Sequence, residues 1–383
     1  MDKFINTKFK FKQNHLYFIV FLCFIIISYY HLSSGFYMSS DSYRYSRWAD
    51  RLLELNFNFN EFFSIDKDYH RPHLFFFSLP TLLVALCKFF FIEDWQFAFF
   101  FLNLLLLFFS LIIFTNCLLL IGVRPILISL TLPLIILSVD VLTWPRYILS
   151  DMINAFLIVV TIYFIIKGLV KKKICYLELL LIIFFLLASR PTSVPIVFTI
   201  ILFVIISKYE DLLEPKKVMQ ILIAFFFFIP LLFGSIYFII VNNFSGIDKL
   251  DYLINMVKVG MIIHDRPDTW VDNPSNFFDV AYIYFLRIIN FFNPYASTFS
   301  IIHIFLNMVQ FFFVIISILF WFLFGFNTKN QNKIFVFILI MSFFVSAFHS
   351  FTIIDYDWRY RFPIILPLLM LFPISLSMFL KKK

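Results

Sequence analysis

Residues 96–121 read QFAFFFLNLLLLFFSLIIFTNCLLLI, a run of 26 residues without one charged side chain. A helix needs about 20 mostly apolar residues to cross the hydrocarbon core of a bilayer, so this run predicts a membrane-spanning helix. Ten further apolar segments follow the same pattern: 16–34, 74–92, 125–142, 151–170, 174–189, 192–207, 219–241, 301–325, 334–354 and 363–380. The pattern predicts an all-α integral membrane protein.

The composition supports the same fold class. The chain is 62% hydrophobic and 14% charged, whereas soluble domains are roughly half apolar and about a quarter charged. We therefore expect membrane lipids around the protein and no nucleic-acid partner. All four cysteines lie in apolar runs and are interpreted as small core residues, not as disulfide or metal ligands. Seven glycines are too few for a phosphate-cradling glycine loop.

The segment 74–92 differs from the other apolar runs. It carries Pro80 near its middle and Lys88 within it, and both are costly inside a spanning helix. If this segment lies along the outer surface, ten spans remain and every lysine cluster falls on one side, which the positive-inside rule makes cytoplasmic. We therefore predict about ten transmembrane helices, a non-spanning juxtamembrane helix at 74–92, and cytoplasmic N- and C-termini.

This layout predicts a single polytopic membrane domain over residues 1–383. Residues 1–207 form a catalytic-type module with a first outer loop at 35–95, and residues 208–383 form the C-terminal helices with an outer loop at 242–300. The first run, from about Leu16 to Tyr30, follows a basic stretch, but no small-residue cleavage site follows it. We interpret it as an uncleaved first span.

Arginine and lysine separate in this layout. Ten of 11 arginines fall outside, whereas 16 of 20 lysines fall inside. Arginine is suited to a bidentate grip on phosphate, so the asymmetry suggests phosphate binding at the outer face. The alternative is that the arginines pair with acidic residues, because 18 of 23 carboxylates also fall outside.

Asp41 begins the first candidate motif, directly after the first span. Ser40 or Asp41 can cap a helix, and Trp48, Leu52 and Leu55 follow at helical spacing on one face. The pattern predicts an amphipathic helix lying at the outer interface, with Asp41 at its N-terminus beside the membrane. The alternative is that Asp41 serves only as the helix cap.

Two further motifs lie at predicted span boundaries. Arg71 precedes segment 74–92 in the sequence Arg-Pro-His-Leu. It is expected at the depth where the phosphate of a lipid carrier lies. The alternative is that Arg71 only anchors an interfacial helix to lipid head groups. Arg146 and Asp151 belong to Trp-Pro-Arg-Tyr-Ile-Leu-Ser-Asp at 144–151. An acidic residue at membrane depth is costly and usually functional, although a helix N-terminus also favours it. Asp140 is the rival carboxylate and could pair with Arg146.

The last two motifs are arginine turns. Arg190 precedes Pro191 in a tight outer turn between two spans. Arg359 and Arg361 lie in the stretch Asp-Tyr-Asp-Trp-Arg-Tyr-Arg-Phe-Pro at 355–363, just before the last span. Tyr and Trp are common at that boundary, whereas two arginines in one turn are not.

In this order, the motifs resemble those of the membrane glycosyltransferases that use lipid carriers and share the multi-span fold called GT-C. Protein O-mannosyltransferases and bacterial aminoarabinose transferases are familiar members. The matching elements are the acid after the first span (Asp41), Arg71-Pro72-His73-Leu74 before a non-spanning helix, the acid of the fourth span (Asp151), the Arg-Pro turn and the late Arg-Tyr-Arg-x-Pro. His73 stands where the family has a second proline. The resemblance covers spans one to six and the last span, and is weak through 242–300.

The resemblance implies a transferase that takes its sugar from a polyprenyl-phosphate donor. Asp41 would be the catalytic base and Asp151 the second catalytic acid, which orients the acceptor or holds a cation. Arg71, Arg146, Arg190, Arg359 and Arg361 would bind the donor phosphate. No cofactor is implied with certainty; a divalent cation could bind where the two acids converge, although no metal-ligand spacing requires it.

The resemblance leaves the acceptor open as a glycan, a lipid or a protein. Two other functions also fit a polytopic chain with outer arginines: a polysaccharide repeat-unit polymerase, and a lipid-linked sugar transporter or flippase. The spans are nearly free of charge at their centres, which favours a surface site over a passage. Composition and compact size suggest a bacterial cytoplasmic membrane, with cell-envelope glycan modification at its outer face.

Overall fold

The computed structural model describes residues 13–64, 74–173, 175–207, 214–243, 248–264, 266–295, 299–325, 328–352 and 359–380. Within these ranges the regular secondary structure is helical, and isolated bridge residues occur at Tyr37, Tyr147 and Ile263. The α-helices are α1 Gln13–Ser34, α2 Ser40–Glu54, α3 Phe59–Ser64, α4 Ser78–Phe90, α5 Trp95–Leu120, α6 Pro125–Ile136, α7 Val139–Thr143, α8 Asp151–Lys171, α9 Tyr176–Ser189, α10 Val194–Ile206, α11 Pro215–Asn243, α12 Asp248–Lys258, α13 Phe277–Phe291, α14 Ile301–Phe324, α15 Lys329–Phe351 and α16 Phe362–Phe379. Short 3₁₀ helices lie at Leu74–Phe77, Trp144–Arg146, Pro191–Ser193, Pro267–Thr269 and Arg359–Arg361.

The prediction of an all-α membrane protein is confirmed at this level. In the described ranges, seven helices are long and apolar enough to cross a bilayer, or eight if the bent pair α6–α7 counts as one span. Two shorter apolar helices, Tyr176–Ser189 and Pro191–Ile206, would bring the total to the predicted ten. The number ten and the cytoplasmic placement of both termini stay predictions.

The bundle is built around α5 and α8, which pack along each other. The buried face of α5 includes Leu104, Leu107, Leu111 and Phe114, as its run without charge predicts. Helix α16 packs on α8, α6 and α14, so the last helix contacts helices from the first half of the chain. One large hydrophobic core results, with residues from both halves of the sequence.

The amphipathic helix predicted after the first span is present as α2, and it buries Leu52 as expected. Its N-cap is Ser39, which forms a capping box with Ser42, so the expectation that Ser40 or Asp41 caps this helix is wrong. Helix α4, in the segment predicted not to span, packs on α2. Lys88 of α4 donates hydrogen bonds to Ser46 and to Asp50 of α2, the latter at 2.5 Å.

The segment predicted as one helix at 125–142 is broken. It divides after Ile136, and its two parts bend by 57°. Pro133 lies inside α6, one turn before the break, and Leu137 N still donates to the carbonyl of Pro133 at 2.9 Å. The break turns α7 away from the axis of α6.

The predicted outer loop at 242–300 contains helices that the sequence interpretation did not identify. Helix α13 packs against α11 and α15 and buries Ile283, Tyr284, Arg287 and Phe291. Arg287 donates hydrogen bonds to the carbonyl of Met261 at 2.6 Å and 2.9 Å. Asp279 and Arg287 divide this helix into apolar runs of at most seven residues, which are too short to indicate a membrane span.

The two ends of the bundle differ in their basic residues. At one end, Lys333 donates to the carbonyl of Ser207, and Gln331 donates to the carbonyl of Ile121. Helix α8 starts at Asp151 at the opposite end of the bundle and ends at Lys171 on the same side as Lys333. The described arginines of the motifs lie at the Asp151 end, which matches the predicted separation of lysine from arginine.

Candidate functional site

Four segments that are far apart in the sequence converge at one end of the bundle. Asp41 comes from the first turn of α2, Asp151 from the first residue of α8, Arg190 from the residue after α9, and Arg359 from the 3₁₀ turn before α16. Asp151 and Arg359 are 208 residues apart in the chain. The convergence joins four of the residues that the sequence singled out.

These side chains form a continuous chain of ion pairs. Asp151 accepts one hydrogen bond from Arg190 through Oδ1 and another from Arg359 Nε through Oδ2, the latter at 3.0 Å. The same Arg359 guanidinium donates through Nη1 to Asp41 Oδ2 at 2.8 Å. Arg44 Nη1 lies 3.4 Å from the other oxygen of Asp41. We call these five residues the rim cluster.

The members of the rim cluster differ in exposure. The Asp151 side chain is fully buried and that of Arg190 is 4% exposed, whereas Asp41 is 30% and Arg44 is 43% exposed. Asp151 is therefore buried and paired with two arginines, whereas Asp41 is exposed enough for a ligand to contact its carboxylate. Among the residues that the structure describes, three arginines and two carboxylates meet here, and guanidinium groups suit an anionic ligand.

The charge environment keeps Asp41 ionised. Partial burial works to raise the pKa of its carboxyl, but the positive charge and the hydrogen bond of Arg359, with smaller contributions from Arg44 and Arg190, bring the pKa below its ordinary value. A nearby cation stabilises the charged form of a carboxyl. Asp41 is thus an ionised, partly exposed hydrogen-bond acceptor next to fixed guanidinium groups.

Backbone contacts hold the two acidic segments together. Tyr37 N donates to the carbonyl of Arg146 at 2.9 Å, and Ile148 N donates to the carbonyl of Tyr37 at 3.2 Å. Asn103 of α5 donates from below to the carbonyls of Pro145 and Tyr147. These bonds tie the segment before Asp41 to the segment before Asp151, so the two acids share one site.

Arg146 contacts the end of α1, and its predicted role in phosphate binding stays a prediction. Its guanidinium donates to the carbonyls of Gly35 and Ser34, both at 3.0 Å, at the end of α1. Basic side chains at a helix C-terminus donate hydrogen bonds to the last carbonyls, which have no partner within the helix. The alternative that Arg146 pairs with Asp140 is wrong, because Asp140 pairs with Arg361 at 3.5 Å.

Arg359 and Arg361 separate although they share one turn. In a 3₁₀ helix, residues two apart point about 120° away from each other around the axis. Arg359 therefore reaches Asp41 and Asp151, whereas Arg361 reaches Asp140 and the carbonyl of Asn293. The arginines that were predicted to bind one phosphate together therefore belong to two separate clusters.

Tyr360, which lies between these arginines, was not singled out from the sequence. The guanidinium carbon of Arg190 lies 4.8 Å from the centre of its ring, and the ring stacks on His349 at 4.4 Å. A guanidinium over an aromatic face is stabilised and oriented by the ring quadrupole. Arg44 was also missed, although its spacing of three residues from Asp41 on one helix is a signal that could have identified it.

Arg71 and its neighbours at 65–73 lie outside the described residues, so the Arg-Pro-His-Leu motif has no structural account. Between Asp41 and Asp151, where a divalent cation was considered, the structure places the guanidinium of Arg359. Over the portion of the chain that is described, no group of three or more His, Cys, Asp or Glu side chains comes together to hold a metal ion.

Comparison with protein-family models, with curated proteins and with solved structures gave no match.

Proposed function

We propose that this chain is a membrane glycosyltransferase that moves a sugar from a polyprenyl-phosphate donor to a hydroxyl of an acceptor. The observation that carries the proposal is the rim cluster, in which a partly exposed carboxylate lies beside three arginines at the end of an apolar helix bundle. The donor has the matching chemistry, because its phosphate lies at the membrane surface and its chain lies in the bilayer.

The reaction requires little beyond these groups. The acceptor oxygen attacks the anomeric carbon of the sugar, and the bond from that carbon to the phosphate oxygen breaks. The electron pair leaves with the phosphate, and the hydroxyl proton goes to a base. The products are a glycoside and free polyprenyl phosphate. Such a transfer is assisted by a positioned base and by fixed positive charge near the leaving group.

The structure suggests a division of roles within the rim cluster. Asp41 would take the hydroxyl proton, because it is the partly exposed and ionised carboxylate. Arg44 and Arg359, which contact it on either side, would stabilise the charge that develops on the phosphate. Asp151 and Arg190 are buried and would act as positioning residues that fix the orientation of Arg359.

We place this site at the outer face of a bacterial cytoplasmic membrane, with the arginine end of the bundle outside. The lysine end would then be cytoplasmic, as the positive-inside rule requires. The product would belong to the cell-envelope glycan. Labelling of single introduced cysteines with a membrane-impermeant reagent tests this placement: a cysteine at Arg44 should react in intact cells, and one at Lys172 only after the cells are opened.

The decisive experiment is a carrier-release assay in membranes. It measures polyprenyl phosphate set free from a panel of polyprenyl-phosphate sugars, in the presence of membrane extract as the source of acceptor. We expect release by the unmodified protein and a loss of at least 100-fold for Asp41→Asn, which keeps the shape of the side chain but cannot accept a proton as a base.

The matched control is Asp50→Asn in the same helix. Asp50 is 54% exposed and pairs with Lys88 of α4, outside the rim cluster, so this variant should keep its activity within about twofold. Equal activity of Asp41→Asn and the unmodified protein, at equal abundance, would exclude Asp41 as the base. Absence of release by the unmodified protein across the panel would contradict the transferase proposal.

A further inference from the structure

The pair Asp140–Arg361 is the centre of a second polar cluster, next to the rim cluster but separate from its ion pairs. Both side chains are at least 95% buried, and Arg361 Nη2 lies 3.5 Å from Asp140 Oδ2. His303, in the first turn of α14, is within electrostatic reach of both groups. The mechanism proposed above uses none of these three residues.

Polar side chains continue from this pair into the bundle along α14. His303, Asn307 and Gln310 follow at spacings of four and three residues, so they lie on one face of the helix. Asn307 and Gln310 are buried, and α14 contacts both α7, which carries Asp140, and α16. The face forms a polar stripe that leads inward from Asp140.

Several atoms of this stripe are buried without hydrogen bonds. Among the residues that the structure describes, no hydrogen-bond partner reaches Asn307 Oδ1 or either polar side-chain atom of Gln310. The same holds for Ser342 Oγ on α15. Buried polar atoms in native proteins nearly always have a partner, so this concentration of unpaired donors and acceptors indicates a place for a polar ligand.

An apolar cavity opens beside the stripe. It has a volume of about 520 Å³, within the range of roughly 300–1,000 Å³ for ligand pockets. Phe311 lines the cavity, and its ring centre lies 4.9 Å from the guanidinium carbon of Arg361. Ser342 lines it from α15. Phe312 and Ile315 also line it, and each is 56% exposed on the outer surface of the bundle, so a lipid chain can enter sideways from the bilayer.

We propose that the polar stripe and this cavity together bind the acceptor, and that the acceptor is a lipid-linked sugar: an isoprenoid chain in the cavity, with a phosphate and a hydroxyl-rich head at the stripe. The proposal rests on the transferase function proposed above and names its acceptor class. Amide and carboxylate groups such as those of Gln310 and Asp140 suit sugar hydroxyls, because each can share hydrogen bonds with them.

The charge at the outer end of the stripe fits a phosphate. Arg361 offsets Asp140, and a further arginine lies close by: the guanidinium carbon of Arg266 is 5.9 Å from the ring centre of Phe299, which stacks on His303 at 3.7 Å. Two guanidinium groups therefore lie at the outer end of the stripe. The 3₁₀ turn Arg359–Arg361 joins this end to the rim cluster, so a head group at Arg361 lies beside a donor phosphate at Arg359.

Photolabelling tests the proposal. The full-length protein in lipid nanodiscs is incubated with N-acetylglucosamine linked through pyrophosphate to a farnesyl chain that carries a diazirine at its far end. After illumination, labelled peptides are mapped by mass spectrometry. We expect label on α14 and α15 near Ile315 and Ser342, and competition by the same lipid-linked sugar without the diazirine but not by free N-acetylglucosamine.

Two site variants and one matched control make the result specific. Gln310→Ala removes unpaired polar atoms of the stripe, and Ser342→Phe fills the cavity; each should lower labelling at least tenfold. Ser317→Ala lies on the same face of α14, but its hydroxyl already donates to the carbonyl of Phe313, so its labelling should stay within twofold. All variants are compared at equal abundance and equal elution volume in size-exclusion chromatography.

The outcomes separate this proposal from the transferase function. Carrier release without labelling at α14 and α15, or unchanged labelling of Gln310→Ala, would overturn the acceptor site alone. Equal competition by a polyprenyl-phosphate sugar donor would also overturn it, because the cavity would then hold the donor chain. Labelling without any carrier release would overturn the acceptor role together with the transferase function. Asp41→Asn should abolish release and leave labelling unchanged.

Discussion

Replacing Asp151 by asparagine is expected to destabilise the folded protein more than any other single change at the rim cluster. The Asp151 carboxylate is fully buried and accepts hydrogen bonds from both Arg190 and Arg359. An asparagine keeps the size of the side chain but removes its charge. The guanidinium groups of Arg190 and Arg359 would then lose the buried carboxylate that they share. Asp41, which contacts Arg359, is partly exposed.

The magnitude follows from the cost of an unpaired buried charge. Removing one partner of a buried ion pair typically costs about 3–5 kcal/mol. Here one carboxylate serves two arginines, so we expect a loss at the upper part of that range, about 4–5 kcal/mol. A double variant, Asp151→Asn with Arg190→Gln, removes one of the stranded charges and should recover part of the loss.

The assay is unfolding of the purified protein in mixed micelles by increasing fractions of sodium dodecyl sulfate, followed by circular dichroism. The matched control is Glu54→Gln, which breaks the pair with Arg51 on α2. Both of those side chains are more than half exposed, and exposed pairs contribute about 0–1 kcal/mol. A loss below about 1 kcal/mol for Asp151→Asn, equal to that of the control, would refute the interpretation that Asp151 holds the two arginines.

Three further changes have defined expectations. The pKa of the Asp41 carboxyl is lower in the folded protein than its ordinary value of 3.8. Its ionised form therefore stabilises the fold above pH 3.8, and this stabilisation is lost as the pH falls through the lower pKa of the folded state. Unfolding measured over a pH series should show the loss of stability in acid, and the loss should be smaller for Asp41→Asn. Arg146→Ala removes two hydrogen bonds from a charged donor to the carbonyls at the end of α1 and should cost about 2–4 kcal/mol in the same unfolding assay, whereas Arg146→Lys should cost less. Gly260→Ala should cost more than about 1 kcal/mol, because Gly260 has a φ of +66° and an added Cβ would collide with the carbonyl of Val271; Gly35→Ala, also at positive φ but with open space around it, should cost less.

Local pattern was sufficient for much of the bundle. Runs without charge identified the spanning helices, since a backbone in lipid must satisfy its own hydrogen bonds and a helix does so within one segment. The alternation of polar and apolar residues identified α2, because the interface selects a one-sided helix. Pro80 and Lys88 set segment 74–92 apart, and Lys88 is used in contacts with α2.

The same reasoning failed where an element was short or interrupted. Helix α13 is partly apolar and was included in a loop, although packing against α11 and α15 buries it. Segment 125–142 looked continuous, yet it bends by 57° after Ile136. Tertiary contacts decide such cases, because propensity and hydropathy over a few turns are weak compared with the packing of neighbouring helices.

The sequence by itself determined that this chain lies in a membrane. It also placed a set of charged residues at the ends of the helices, where they can meet: Asp41, Asp151, Arg190, Arg359 and Arg361. Only the tertiary structure decided which acid each arginine contacts. Arg359 and Arg361 are two residues apart in one motif, but the geometry of a 3₁₀ turn directs them to different clusters. Ion pairs between segments 208 residues apart depend on how helices pack, and no local pattern contains that information.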